Sequence, residues 1–165
     1  MTTQNKINLQ IVLGNQNNPF TLFLWKNRQT VVIGTNQNPY SECDVDTLLK
    51  EGGHLARRRT GGGAVYHDLG NLNFSIVADK KIYDVKRQMT VIQKALLNYG
   101  LETEVSGRND ITYQGRKFSG NAFAKTKYQG LHHGTILIKT DSEQLQKYLK
   151  VKPAKLHKHG VKSVA

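Results

Sequence analysis

The chain has 165 residues, enough for one domain with a sizeable core and no need of disulfides or metal. Its single cysteine, Cys43, excludes an intramolecular disulfide, and no apolar run nears the roughly 20 residues of a membrane span. The formal charge of +12 attracts polyanions, although any one of the lysines is as readily plain solvated surface. Residues 1–10 carry neither a signal peptide's apolar stretch nor a transit peptide's arginines, so the expected address is the cytoplasm.

Short β-like runs dominate, separated by turn residues such as Gln114-Gly115 and Gln129-Gly130. In chain order the predicted strands are 21–25, 30–33, 54–58, 64–66, 73–77, 102–105, 110–113, 118–121 and 135–139. Helical periodicity gives a short helix over 44–50 and a longer one over 84–99. The longer one sets Val85, Met89, Ile92, Ala95, Leu96 and Tyr99 at i, i+3, i+4 spacings. Asp141-Ser142 offers an N-cap for a third helix running to Leu149. Groups of strands around few helices predict an α+β fold, a mixed β-sheet core with flanking helices. No repeat, low-complexity stretch or linker interrupts the chain, so a single domain over 1–165 is expected, ending in a basic loop over 152–165.

Three segments are dense in glycine and reactive polar groups. The first is Arg57-Arg58-Arg59-Thr60-Gly61-Gly62-Gly63-Ala64-Val65-Tyr66-His67-Asp68, continuing through Gly70-Asn71. Arginine forks bind phosphate or carboxylate oxygens, and consecutive glycines let backbone N–H groups approach an anion. That combination predicts a site for a phosphorylated ligand. It is not a Walker loop, since no lysine followed by Ser or Thr closes the glycine run. The second segment is Gly107-Arg108-Asn109-Asp110 with Arg116-Lys117-Phe118-Ser119-Gly120-Asn121, and the third is His132-His133-Gly134-Thr135. Adjacent histidines on a strand face opposite ways, which argues against a His-His metal site.

The stretches RRRTGGGAVYHDLGNLNFS, GRNDITYQGRKFSGNA and HHGTILI resemble motifs of lipoate–protein ligases. The upstream VVIGTNQNP and the terminal KLHKHGVKSV are similar to that family too, so the resemblance runs from about residue 20 to residue 164. It implies the catalytic fold of biotin and lipoate protein ligases, shared with class II aminoacyl-tRNA synthetases. It also implies a two-step reaction. Lipoate and ATP form lipoyl-AMP and pyrophosphate, and the lipoyl group then passes to a lysine of a carrier domain in a 2-oxo-acid dehydrogenase or of the glycine cleavage H protein.

By the same resemblance Lys117 is the catalytic cation, contacting both the lipoyl carbonyl and the α-phosphate. Arg58, Gly63, Ala64, Val65 and Tyr66 match positions that hold ATP. Thr60, Gly61, Gly62, His67, Asn71, Ser119, Gly120, His133 and Thr135 match the surroundings of lipoate and lipoyl-AMP, with Thr60 standing where serine is usual. Asp110 is expected to hold Mg2+ or to orient the acceptor lysine. Transferases of the same fold instead pass the acyl group through a cysteine thioester without ATP. Cys43 lies between Glu42 and Asp44, which raise a thiol's pKa, so it reads as a bystander and the adenylating ligase is favoured. A nucleic-acid module would need stacking aromatics, and none interleave with the basic residues. Neither nucleic acid nor membrane is therefore expected as a partner. The family's longer N-terminal helical segment and C-terminal accessory domain have no counterpart here, which implies a separate accessory protein if the chain is whole.

Overall fold

The computed structural model describes residues 7–13, 19–107 and 109–150, and for 7–13 only the main-chain path. Arg108 and the terminal KLHKHGVKSV lie outside the described residues. The strands are β1 (Ile7–Leu13), β2 (Phe20–Asn27), β3 (Thr30–Ile33), β4 (His54–Arg57), β5 (Val65–His67), β6 (Asn71–Asp79), β7 (Glu104–Ser106), β8 (Asp110–Tyr113), β9 (Arg116–Lys125) and β10 (Gln129–Leu137). The helices are α1 (Pro39–Glu42), α2 (Val45–Lys50), α3 (Val85–Leu97) and α4 (Ser142–Tyr148). One sheet has the order β1-β2-β6-β10-β9-β8-β7 and the other β4-β3-β5, giving the α+β mixed-sheet fold that the sequence predicts. No described helix is long and apolar enough to cross a membrane.

The chain divides into two compact units. The first is built on Lys26–Asn71 and α4. Here β3 runs parallel to β4 and antiparallel to β5, and its residues Thr30–Ile33 are all buried. A parallel neighbour requires a crossover, which α1 and α2 supply. Asp44 caps α2 by accepting from Thr47 N and Thr47 Oγ1. The core gathers Val31, Ile33, Cys43, Val45, Leu48, Tyr66 and Tyr148. Tyr148 of α4 packs its ring 5.6 Å from that of Tyr66 and donates its hydroxyl to Glu51 at 2.5 Å.

The second unit is built on Gln10–Trp25 and Leu72–Leu137. Asp84 caps α3 by accepting from Arg87 N, and Met89 and Ile92 of α3 meet Phe74, Ile76 and Ile111 of the sheet. Gln114 and Gly115 both take positive φ (51° and 73°) in the two-residue β8–β9 hairpin. That is the turn whose twist matches antiparallel strands.

Three departures from the predicted elements have local reasons. Ile7, Leu9, Ile11 and Leu13 alternate with period two, so the sequence of β1 is strand-like even within a polar N-terminus. Helix α1 is a single turn set off by Asn38, whose side chain accepts from Tyr40 N, with Pro39 in first position. Strands β9 and β10 are longer than 118–121 and 135–139, because they pair continuously from Gly130 opposite Lys125 to Gly134 opposite Asn121. Pairing and burial there override the weak strand propensity of Gly, Asn and His.

Candidate active site

The glycine segment belongs to the first unit. It leaves the end of β4, passes over the end of β3 and enters β5, since β3 lies between those two strands. Its polar groups are stitched to the residues beneath. Gly34 N donates to Gly63 O (3.2 Å), Thr35 N to Thr60 O (3.0 Å) and Arg58 N to Ile33 O (3.0 Å). The approach is so close that a Cβ on Gly34 would lie 2.0 Å from Gly62 O. Gly62 itself has φ +102°, a conformation that side chains rarely adopt.

The arginines serve this scaffold. Arg58 donates through Nη1 to Val32 O and through Nη2 to Gly61 O and Gly63 O, all at 2.9 Å. Burial lowers its pKa, and the nearby Glu42 charge acts in the opposite sense. Arg57 Nη1 donates to the carbonyls of Gly34, Thr35 and Gln37, while Arg59 is exposed. Ala64 N donates to the buried Glu42 carboxylate at 3.1 Å. By contrast, the N–H groups of Gly61, Gly62 and Gly63 meet no acceptor among the described residues. N–H groups left in this way are available to an anion.

Other predicted residues of this unit are deeper. Thr60, His67 and Asn71 are buried, and Asn27 Nδ2 donates to His67 Nδ1 at 3.3 Å. Val65 pairs with Val32, and the Tyr66 side chain sits in the core with its pKa pushed up to about 12 by burial.

Lys117 belongs to the second unit, and a β-bulge aims it. Ser119 lies opposite Ile111, yet Lys117 lies opposite Thr112, so Phe118 is an extra residue on β9. Asp110 lies opposite Gly120. Paired residues share a face of the sheet, so the bulge brings Lys117 onto the face of Asp110 and Gly120. Without it, Lys117 and Gly120, three positions apart, would face opposite ways. Lys117 Nζ accordingly lies 2.8 Å from Asp110 Oδ1 and 3.7 Å from a Cβ built on Gly120. Thr135 Oγ1 accepts from Gly120 N at 3.2 Å, and His133 follows the same alternation, opposite Ala122.

The other face is occupied by Ser119, Asn121 and His132. Ser119 is fully buried and accepts from Asn121 Nδ2, so its side chain stands across the sheet from Lys117. His132 Nε2 lies 2.8 Å from Asn121 Oδ1, which only accepts, and this assigns the proton to Nε2. Phe74 and Phe123 enclose the ring, and burial first, then His133, push the His132 pKa down to about 4. The two histidines thus face opposite ways. Asn121 also donates from Nδ2 to Asn109 O, while Asn109 Nδ2 donates to Asn121 O at 2.6 Å. These bonds fix the backbone just before Asp110.

The structure therefore assembles one cluster within each unit. Arg58, Thr60, Gly61, Gly62, Gly63, Ala64, Val65, Tyr66, His67 and Asn71 belong to the first unit. Asp110, Lys117, Ser119, Gly120, His133 and Thr135 belong to the second. Motif reading missed Glu42 and Asn121. Nothing in 39–48 sets Glu42 apart, since Asp44 and Asp46 follow it within the same polar stretch and only the fold turns Glu42 inward. Among the described residues no group of three His, Cys, Asp or Glu side chains is placed to hold a metal ion. Cys43 is buried, its thiol donating to Pro39 O at 3.4 Å, and burial raises its pKa above the ordinary value.

Residues 4–165 match the lipoyl protein ligase A/B catalytic domain, and the chain belongs to that family. It is 46% identical over 144 residues to a lipoate-protein ligase A of Psychrobacter cryohalolentis, covering 87% of this chain and 42% of that protein. It is 48% identical over 147 residues to one of Bdellovibrio bacteriovorus, covering 87% and 43%. The chain thus spans less than half the length of these relatives. Among solved structures, P. falciparum LipL1 in complex with lipoate superposes with TM-score 0.76 at 40% identity, covering 89% of this chain and 44% of that one. A bi-partite lipoate protein ligase of Thermoplasma acidophilum, solved with its E2 lipoyl domain, gives 0.75 at 35% identity, covering 90% and 60%. A lipoate-protein ligase A bound with ATP gives 0.73 at 35% identity, covering 82% and 61%.

Proposed function

We propose that residues 1–165 act as the catalytic domain of an ATP-dependent lipoate–protein ligase in the cytoplasm. The lipoate carboxylate attacks the α-phosphorus of ATP, pyrophosphate leaves, and lipoyl-AMP results. The ε-amine of a carrier lysine then attacks the lipoyl carbonyl, an amide forms, and AMP departs. The carrier is an E2 lipoyl domain or the glycine cleavage H protein. Support comes from the relatives solved with lipoate, with ATP and with an E2 lipoyl domain. The bi-partite relative supports a separate accessory protein as a further partner.

The observation that carries this reading is the bulge that sets Lys117 against Asp110 beside Gly120. Adenylation brings two anions together, so it depends on placed cations and N–H donors. Lys117 serves as the cation on the α-phosphate and lipoyl carbonyl. Gly61, Gly62 and Gly63 contribute N–H donors to the nucleotide phosphates, and Arg58 holds the Gly61 and Gly63 carbonyls. Thr60, His67 and Asn71 shape the acyl side from within, and Gly120, His133 and Thr135 line the Lys117 face. Ser119 acts through Asn121. Mg2+ enters with ATP as part of the substrate. Asp110, bonded to Lys117, orients the lysine and the acceptor amine, or holds the Mg2+ that accompanies ATP. The test is pyrophosphate release that requires lipoate and is lost in Lys117→Ala. Release without lipoate, or unchanged in the variant, overturns the assignment.

A further inference from the structure

A carboxylate beside an anion cradle weakens the cradle by simple repulsion. Burying one is also costly unless partners compensate it. Glu42 is nonetheless only 4% exposed at the end of α1, with its Oε2 accepting from Ala64 N at 3.1 Å and its charge acting on Arg58. The two side chains meet the loop at the same Gly63–Ala64 peptide, and Arg58 also reaches Gly61 O near the start of the turn. Arg58 grips Gly61 O and Gly63 O, and Glu42 grips the first N–H after the glycines. The result is a division of donors. Ala64 N–H is committed inward, and the N–H groups of Gly61, Gly62 and Gly63 have no acceptor among the described residues.

We propose that Glu42 is a positioning residue for anion recognition: its carboxylate holds Ala64 N–H and so hands phosphate binding to the three glycine N–H groups upstream. This rests on reading the loop as the nucleotide site, and it moves the phosphate donors upstream of Ala64 and Val65. Glu42 touches no substrate. Its effect passes through the loop's shape, with Arg58 as the opposite charge that allows it to stay buried.

The experiment compares the 165-residue chain with Glu42→Ala and Glu42→Gln, using ATP and lipoate separately as probes. Amide exchange at Ala64 reads the loop directly, calorimetry reads each affinity, and melting temperature reads global stability. Loss of one hydrogen bond to a charged acceptor corresponds to about a tenfold change. Ala64 exchange in Glu42→Ala is therefore expected to quicken about tenfold or more, and ATP affinity to fall by a similar factor. Lipoate affinity should stay within about twofold. Glu42→Gln keeps an acceptor and should restore most of both losses, and it remains informative if the alanine variant fails to fold. Unchanged Ala64 exchange overturns the proposal. So does a loss of ATP and lipoate binding in equal measure that tracks the melting temperature. Failure of the wild-type chain to bind ATP strikes the nucleotide reading instead, and the exchange result still decides whether Glu42 holds the loop.

Discussion

Acidification should undermine the second unit through His132. The imidazole is fully buried between Phe74 and Phe123, donates to Asn121 and has its pKa pushed down to about 4. In the unfolded chain it takes a proton near 6.5. Between those values the unfolded state binds more protons, so stability present above pH 6.5 is lost as pH falls toward 4. The full linkage is about 3 kcal/mol, and about 2 kcal/mol of it falls above about pH 5. His132→Gln keeps a donor for Asn121 without a titrating ring. At neutral pH it should cost about 1–3 kcal/mol through lost ring packing. Urea unfolding of both proteins from about pH 7.5 to about pH 5 isolates the residue, because all other titrations cancel in the difference. The gap between wild type and variant should close by about 2 kcal/mol. Parallel curves would refute the argument, and a gap that widens on acidification would mean that His132 is charged in the folded protein.

Gly34→Ala places a methyl 2.0 Å from Gly62 O, so the loop must retreat and give up the Gly34–Gly63 bond. A loss of about 2–4 kcal/mol in denaturant unfolding, with weaker ATP binding in calorimetry, is expected. Gly61→Ala meets open space, so its stability should change by less than about 1 kcal/mol. The variant keeps the Gly61 N–H, so ATP affinity in calorimetry should stay within about twofold of the wild type, and a larger loss would count against a donor role for that N–H. Cys43→Ser should leave ATP-dependent lipoylation of a carrier intact by mass spectrometry, because a buried thiol with a raised pKa is no nucleophile. ATP-free transfer that disappears in this variant would instead establish thioester chemistry.

What the sequence discloses here depends on how local the determining force is. Asp44, Asp84 and Asp141 all cap helices, because a cap is decided within four residues. Gln114-Gly115 makes its hairpin for the same reason. The Phe118 bulge is not local: it reflects the register of β9 against β8, and no residue type in Arg116-Lys117-Phe118-Ser119 announces it. Three consecutive arginines likewise announce cations but not their partners. Arg57 and Arg58 spend their guanidiniums on six carbonyl contacts, four to residues beneath the loop and two to the loop's own Gly61 and Gly63, a result set by the crossing over β3. Ser119 was readable as part of a motif, whereas its orientation toward Asn121 depends on which side of the bulge it falls.

The inward guanidinium of Arg58 has a consequence for ionic strength. Surface lysines attract anions through a field that mobile counterions neutralise within about 10 Å at moderate salt. A cation clasped by the Val32, Gly61 and Gly63 carbonyls and partly withdrawn from solvent is less accessible to those counterions. Its contribution at the glycine loop therefore persists when added salt has flattened the long-range attraction of the +12 chain. Encounter with an anionic ligand slows as salt rises, while retention at the loop is far less affected.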